Sequence, residues 1–167
     1  AGVAVADLVY GEVFVWPARL VLHSVGVGPG SVVVDLGCGR GAVLVAAASV
    51  GAVARGVDVH AAHVDAIADA ASAAGVDVKV GDARAVADDV IADADVVWIS
   101  WITWAEESRR AVSKRLLALR PGAVVIGVGY GVDVNAEGAF DGAFEIVARP
   151  RVWCTWGRAE LVVCRRR

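Results

Sequence analysis

The chain has 167 residues, of which 57% are hydrophobic and 21% charged, with a net charge of −3. That composition excludes a disordered or solvating segment. The near balance of basic and acidic residues argues against a dedicated nucleic-acid binder, whose affinity rests on phosphate neutralisation. Mean hydropathy is +0.61, yet Asp, Arg or Gly breaks every apolar run before it reaches the ~20 residues a spanning helix needs. No membrane partner is expected. Cys38, Cys154 and Cys164 form no CxxC pair, which suggests a reducing compartment and neither a disulfide framework nor a zinc site. No basic flank precedes an apolar run at the N-terminus, so no signal peptide is expected and the cytoplasm is the expected location.

In chain order, the loop Tyr10-Gly11-Glu12 leads to a helix around Pro17–His23. Short β-branched runs follow at Val32–Leu36, Ala54–Asp58, Val76–Val80, Val96–Ser100 and Ala123–Ile126. Between them lie helical stretches. Gly41–Val50 is apolar all round and is expected to be buried. Ala61–Ala74 places Val64, Ile67, Ala71 and Ala74 on one face, and Glu106–Leu119 turns Val112, Leu116 and Leu119 inward. Its cations Arg109, Arg110, Lys114 and Arg115 are expected to lie mostly in water. Gly129–Gly142 reads as a long loop, and Phe144–Ala148 and Ala159–Cys164 read as a closing antiparallel pair. Strands alternating with helices predict an α/β fold, a sheet with crossover helices on both faces. The closing Arg165-Arg166-Arg167 reads as a solvated end.

The chemistry concentrates in Asp35-Leu36-Gly37-Cys38-Gly39-Arg40-Gly41, where a strand passes into a helix. Glycines there permit a sharp turn and a close approach of ligand to backbone, with helix amides facing it. Asp58 ends the second strand, where a carboxylate can accept ribose hydroxyls. Asp82 follows the third, within reach of an adenine edge. Each could instead cap the helix after it. Three acidic residues at successive strand ends point to a nucleoside site. A dinucleotide would want G-x-G-x-x-G; this chain has Gly37-x-Gly39-x-Gly41, which leaves a nicotinamide cofactor as the secondary reading.

This set, with Val80-Gly81-Asp82-Ala83 and Leu119-Arg120-Pro121-Gly122-Ala123, resembles the seven-strand, class I S-adenosylmethionine-dependent methyltransferases across about Ser31–Val128. The resemblance implies a three-layer α/β/α Rossmann-like fold, with a mostly parallel seven-stranded sheet and an antiparallel last strand. It also implies one domain over 1–167: a loop and helix (1–30), a cofactor-binding core (31–128) and a loop and strand pair (129–167). Val9-Tyr10-Gly11-Glu12, and Val96-Val97-Trp98-Ile99-Ser100-Trp101 with Glu106-Glu107, resemble the disruptor-of-telomeric-silencing family of histone lysine methyltransferases. The Asp35–Ala48 segment is similar to small archaeal and mitochondrial protein-lysine methyltransferases. The chain departs from the histone enzymes where Ser100-Trp101 replaces an Asn-Asn pair, and their helical N-terminal part and basic tail have no counterpart here, so nucleosomal histone is not the expected acceptor.

The resemblance implies that Asp35 and the backbone of Gly37, Cys38, Gly39 and Gly41 hold the methionine portion, with Tyr10 and Glu12 closing over it. Asp58 would bind ribose, Val59 would pack on adenine, and Asp82 with the Ala83 amide would meet its edge. Ser100 and Trp101, with Tyr10, would border the methyl and the entering nucleophile. The expected reaction is methyl transfer to a protein lysine nitrogen, giving S-adenosylhomocysteine. A small-molecule acceptor and a non-catalytic cofactor-binding module are the rivals. Glu12 and Asp133 are weak candidates for a general base.

Trp98 is expected in the core. Trp101 is expected to shape the acceptor channel, where an indole face could hold an ammonium, and Trp104 to pack under the next helix. Trp153 and Trp156 are candidates for the opposite wall or for an inter-strand contact. His60 and His63 lack a third ligand and read as a solvated helical turn, so no metal is expected.

Overall fold

The computed structural model describes residues 11–132 and 142–167. Tyr10 and Asp133 lie outside the described residues, as does most of the expected long loop. The elements run α1 (Val15–Ser24), β1 (Val32–Leu36), α2 (Ala42–Ala48), β2 (Val53–Asp58), α3 (Ala61–Ala73), β3 (Asp77–Val80), α4 (Asp88–Ala92) and β4 (Val96–Ile99). They continue with α5 (Glu106–Arg115), β5 (Val124–Val128), β6 (Phe144–Ala148), β7 (Arg151–Cys154) and β8 (Gly157–Arg166).

The strand order is β3-β2-β1-β4-β5-β8-β6, with β7 also on β8. Neighbours from β3 through β5 pair in parallel, and β8 runs antiparallel to β5 and β6. A bulge lies between Ile146 and Ala148. Beyond it, the pairing Ala148↔Val163 carries on through Leu161 N donating to Pro150 O into Arg151↔Glu160. So β6 and β7 are one outer strand, broken at Arg149-Pro150. Proline can stand there because an edge strand leaves one row of amides unpaired. The result is the expected α/β/α sheet of seven positions with an antiparallel strand near its C-terminal edge.

Alternation along β4 shows how the core divides. Val96 and Trp98 point into one apolar cluster with Val33, Ile126, Leu22 and Leu44. Val97 and Ile99 point into the other, with Val34, Val125, Ile91, Val112 and Leu116. Successive side chains leave a strand on opposite faces, so β-branched runs without polar alternation require both faces to be covered. Helices α1 and α2 cover the first, and α4 and α5 the second.

Four expectations change. Helix α2 is not buried all round, because Val45 is exposed. Arg166 is no solvated end: it is in β8, its amide donates to Ala123 O, and its guanidinium lies 5.5 Å from the Phe144 ring centroid. Arg109 is half-buried and packs on Tyr130. On α3, Ala74 is exposed and only Val64 and Ala71 are fully buried. Among the described residues, no helix is long and apolar enough to cross a membrane.

Candidate active site

Because β1, β2, β4 and β5 are parallel and in register, their C-terminal ends reach one edge together. Leu36 pairs with both Val57 and Ile99, so Gly37 leaves β1 beside Asp58 on one side and Ser100 on the other. Strand order reverses between β1 and β4, and ligands of open α/β sheets bind at that crevice.

The Gly37–Gly41 turn is built by carboxylates. Asp58, buried at the end of β2, accepts from Gly39 N at 2.8 Å and from His60 N at 2.8 Å. Glu12 accepts from Arg40 N at 2.9 Å. Gly37 N and Cys38 N both donate to Val57 O, and Gly41 N donates to Cys38 O. Every amide of the turn therefore already has an acceptor. The arrangement counts against a pyrophosphate, which needs free amides. Cys38 turns its thiol inward, with Sγ 2.9 Å from where a Cβ on Gly56 would sit; burial pushes that thiol well above its usual range.

Asp35 is the group left over. It is 3% exposed, and its Oδ1 is buried with no hydrogen-bond partner. Burial raises its pKa well above 3.8, and the charges of Asp58 and then Glu12 raise it further. Glu12, Asp35 and Asp58 thus converge on one turn, and a cation is what such a site lacks. The residues fit a sulfonium cofactor with an ammonium group: a buried, unpartnered carboxylate oxygen suits an N–H donor, and a nicotinamide dinucleotide would bring anions instead. Gly37 adds the cradle. Its φ is +82° and an added Cβ would sit 3.0 Å from Trp104 Cζ2, so a side chain there would fill the space and strain the backbone.

The other expected nucleoside contacts divide. Val59 is exposed beside Asp58, an apolar surface suited to a base. Ala83 is buried. Asp82 caps the next turn by accepting from Arg84 N at 2.8 Å, and both its oxygens also take the Arg84 guanidinium, which holds its pKa below the usual value. Of the two carboxylates, Asp82 is the cap of the turn that follows it, while Asp58 holds the amides of Gly39 and His60. His60 and His63 rings lie 4.9 Å apart, and His63 Nδ1 is 3.7 Å from Asp58 Oδ1. Among the described residues no cluster could hold a metal ion.

On the acceptor side, Ser100 is half-buried at the end of β4. Trp101 is 0% exposed. Its Nε1 donates to Tyr130 O at 2.8 Å, so it is the floor under this region and presents no open indole face, contrary to expectation. Trp104, partly exposed and edge-on to Trp101 with ring centroids 6.4 Å apart, is the indole at the cofactor turn.

The β7–β8 hairpin was not expected as such and holds the N-terminal loop. Val13 bridges Cys154. Thr155 accepts from Glu12 N through Oγ1 and donates its own amide to Glu12 O. The Trp156 ring lies 2.4 Å from where a Cβ on Gly11 would stand. Glycine at position 11 is therefore what lets Glu12 reach Arg40. The alternation Val152, Cys154 inward and Trp153 outward was the available signal.

A family model described as a methyltransferase domain matches residues 33–122. No curated protein matches. Among solved structures, magnesium protoporphyrin IX methyltransferase from Synechocystis, with bound S-adenosylmethionine, is 20% identical at a TM-score of 0.71, over 92% of this chain and 78% of that one. An RNA methyltransferase from Salinibacter ruber, in complex with S-adenosyl-L-homocysteine, is 22% identical at 0.63, over 87% of each chain. TrmN from Thermus thermophilus is 18% identical at 0.70, over 90% of this chain and 48% of that one, so this chain spans about half its length. These likenesses are of fold. The family match covers the cofactor turn with Asp35, Asp58 and Asp82, and the chain belongs to the methyltransferase-domain family.

Proposed function

We propose that this domain transfers the methyl group of S-adenosylmethionine to a lysine side-chain nitrogen of another protein and releases S-adenosylhomocysteine. The observation that carries the cofactor is the unpartnered buried oxygen of Asp35 among the charges of Asp58 and Glu12. When bound, S-adenosylmethionine supplies a methyl group already activated on a sulfonium. What the protein adds is placement: orientation alone can remove ~7–11 kcal/mol of a barrier.

Asp35 takes the ammonium of the methionine portion. Asp58 keeps lone pairs beyond the two that Gly39 and His60 occupy, and these receive the ribose hydroxyls. Val59 packs on the adenine, with Asp82 and the Ala83 amide at its edge. Glu12 and Tyr10 close the methionine end. Ser100 borders the methyl, and Trp101 acts from beneath by fixing the Tyr130 carbonyl. The Trp104 indole is placed to steady an ammonium by cation–π attraction, worth ~0.5–2 kcal/mol. A nucleic-acid acceptor is disfavoured by the net charge of −3, and a membrane acceptor by the broken apolar runs. We place the reaction in the cytoplasm. A lysine acceptor is supported by the resemblance of the Tyr10-Gly11-Glu12 segment to lysine methyltransferases and by the bond from Arg40 N of the turn to Glu12.

The test follows labelled methyl from S-adenosylmethionine into protein and small-molecule fractions of an extract, with an Asp35→Ala, Asp58→Ala variant as control. Label on lysine in a discrete protein supports the reading. Label confined to small molecules rejects lysine and leaves the transferase. Cofactor binding with no transfer points to the non-catalytic module.

A further inference from the structure

A second recess opens at the same sheet edge, beyond Trp104. It measures about 290 Å³, and its walls include Arg109, Arg110 and Ser113 of α5, Tyr130 after β5 and Arg149 after β6. Two of its three arginines are matched, Arg110 by Glu106 at 2.6 Å and Arg149 by Glu160 at 2.9 Å. No carboxylate among the described residues pairs with Arg109. Its guanidinium lies 4.1 Å from the Tyr130 ring centroid and donates one N–H to Trp104 O.

An aromatic face beneath a guanidinium fixes its plane, and its other donors then form a fork that suits a carboxylate or phosphate. Ser113 stands four residues on, over the same helix face. Its Oγ is buried, has no hydrogen-bond partner and lines the same recess. One unmatched cation and one idle hydroxyl therefore share a pocket. Trp104 fixes where that pocket lies: its carbonyl holds Arg109, and its ring covers Gly37 of the cofactor turn. Trp104 thus links Arg109 to the cofactor cradle.

We propose that Arg109 and Ser113 receive a carboxylate on the acceptor protein, an acidic side chain flanking the lysine that is methylated. This rests on the lysine reading above. An RNA phosphate is the less favoured source of the anion, because Glu106 and Glu160 already match Arg110 and Arg149 and a nucleic acid needs several unmatched cations.

The test has two arms on the full chain. In the first, Arg109 Nε–Hε is followed by NMR during titration with N-acetylglutamate. A saturable shift, lost in Arg109→Gln and weakened several-fold in Ser113→Ala, supports the anchor. No shift, or a shift that Arg109→Gln retains, overturns it. In the second, lysine peptides differing only in acidic, neutral or basic neighbours are methylated with labelled S-adenosylmethionine. Acidic neighbours should raise the rate at least tenfold, and Arg109→Glu should reverse the preference while cofactor affinity stays unchanged. Indifference to the neighbours, an unchanged preference in Arg109→Glu, or suppression of the rate by oligouridylate at lower concentrations than by the acidic peptide overturns the proposal. Label on no peptide, with the Nε–Hε shift intact, rejects the lysine reading and upholds the carboxylate anchor.

Discussion

The two halves of this edge are held together by different forces. At the ends of β1 and β2, charge shapes the backbone: Asp58 and Glu12 take the amides of Gly39 and Arg40, and Asp35 Oδ1 is left buried without a donor among the described residues. At the ends of β4 and β5, close packing does the same work. Trp101 sits under the Tyr130 carbonyl, Trp104 crosses Trp101 edge-on, and Arg109 lies flat on Tyr130. The first half should therefore respond to pH and to loss of charge, and the second to added volume.

The largest effect belongs to the packed half. A Cβ on Gly127 would stand 1.9 Å from Tyr130 O and 2.6 Å from Trp101 Nε1. Gly127→Ala should cost ~3 kcal/mol or more through overpacking, a Tm drop of about 6–12 °C for a chain of this size. Differential scanning fluorimetry reads it, and an unchanged Tm would show that this half is not tightly packed. In the charged half, Asp58→Asn keeps the volume and weakens two charge-assisted bonds worth ~1.5–3 kcal/mol each. Its expected result is a loss of about 100-fold in S-adenosylmethionine affinity by calorimetry, with the sheet intact by circular dichroism.

The charged half was the more legible in sequence, for a physical reason. A carboxylate closing a β-branched run announces a group that burial would penalise, and Gly37, Gly39 and Gly41 mark a turn that other residues would strain. What stayed hidden was which acceptors the turn amides use, because Val57 O and the Glu12 carboxylate come from elsewhere in the chain. The packed half gave weaker signals. Helix period put Arg109 mostly in water, and only the fold brings Tyr130 under it. The β7–β8 hairpin turns at Thr155-Trp156, which lack the Asn-Gly or Asp-Gly pair that marks two-residue turns. Helix α4 has five residues and one fully buried anchor, Ile91, too short for a period to show. Strands β4 and β5 stood out because both faces are covered and no polar residue interrupts them, whereas Arg55 and Lys79 lie within β2 and β3.

A smaller effect tests the link between the N-terminal loop and the turn. Glu12→Gln keeps an acceptor for Arg40 N but removes its charge and one of the two charges facing Asp35. Cofactor affinity should fall about tenfold, which corresponds to 1.4 kcal/mol, while the melting curve barely moves. Equal affinity in the two proteins would mean that Glu12 serves only to dock the loop on Thr155.

The smallest expected effect runs the opposite way and divides stability from function. Because burial, then Asp58, then Glu12 raise the Asp35 pKa in the folded chain, the folded state keeps that proton where the unfolded state has lost it. The resulting stability is full below the unfolded pKa near 3.8 and is lost as pH rises through the folded value. Above that value the ionised, unpartnered carboxylate is a net cost. Asp35→Asn should therefore raise the stability of the cofactor-free protein at pH 8 by ~1 kcal/mol, a Tm gain of about 2–4 °C, and flatten its dependence on pH. A bound ammonium favours the charged carboxylate, so the wild-type protein should bind S-adenosylmethionine more tightly as pH rises through the same range and expel a proton in doing so. The variant should bind more weakly and lose that pH dependence. Melting curves across pH and calorimetry in two buffers of different ionisation heat measure both. A variant that melts lower than wild type, or binds as well at every pH, would remove Asp35 from the cation site and leave Asp58 and Glu12 to carry it.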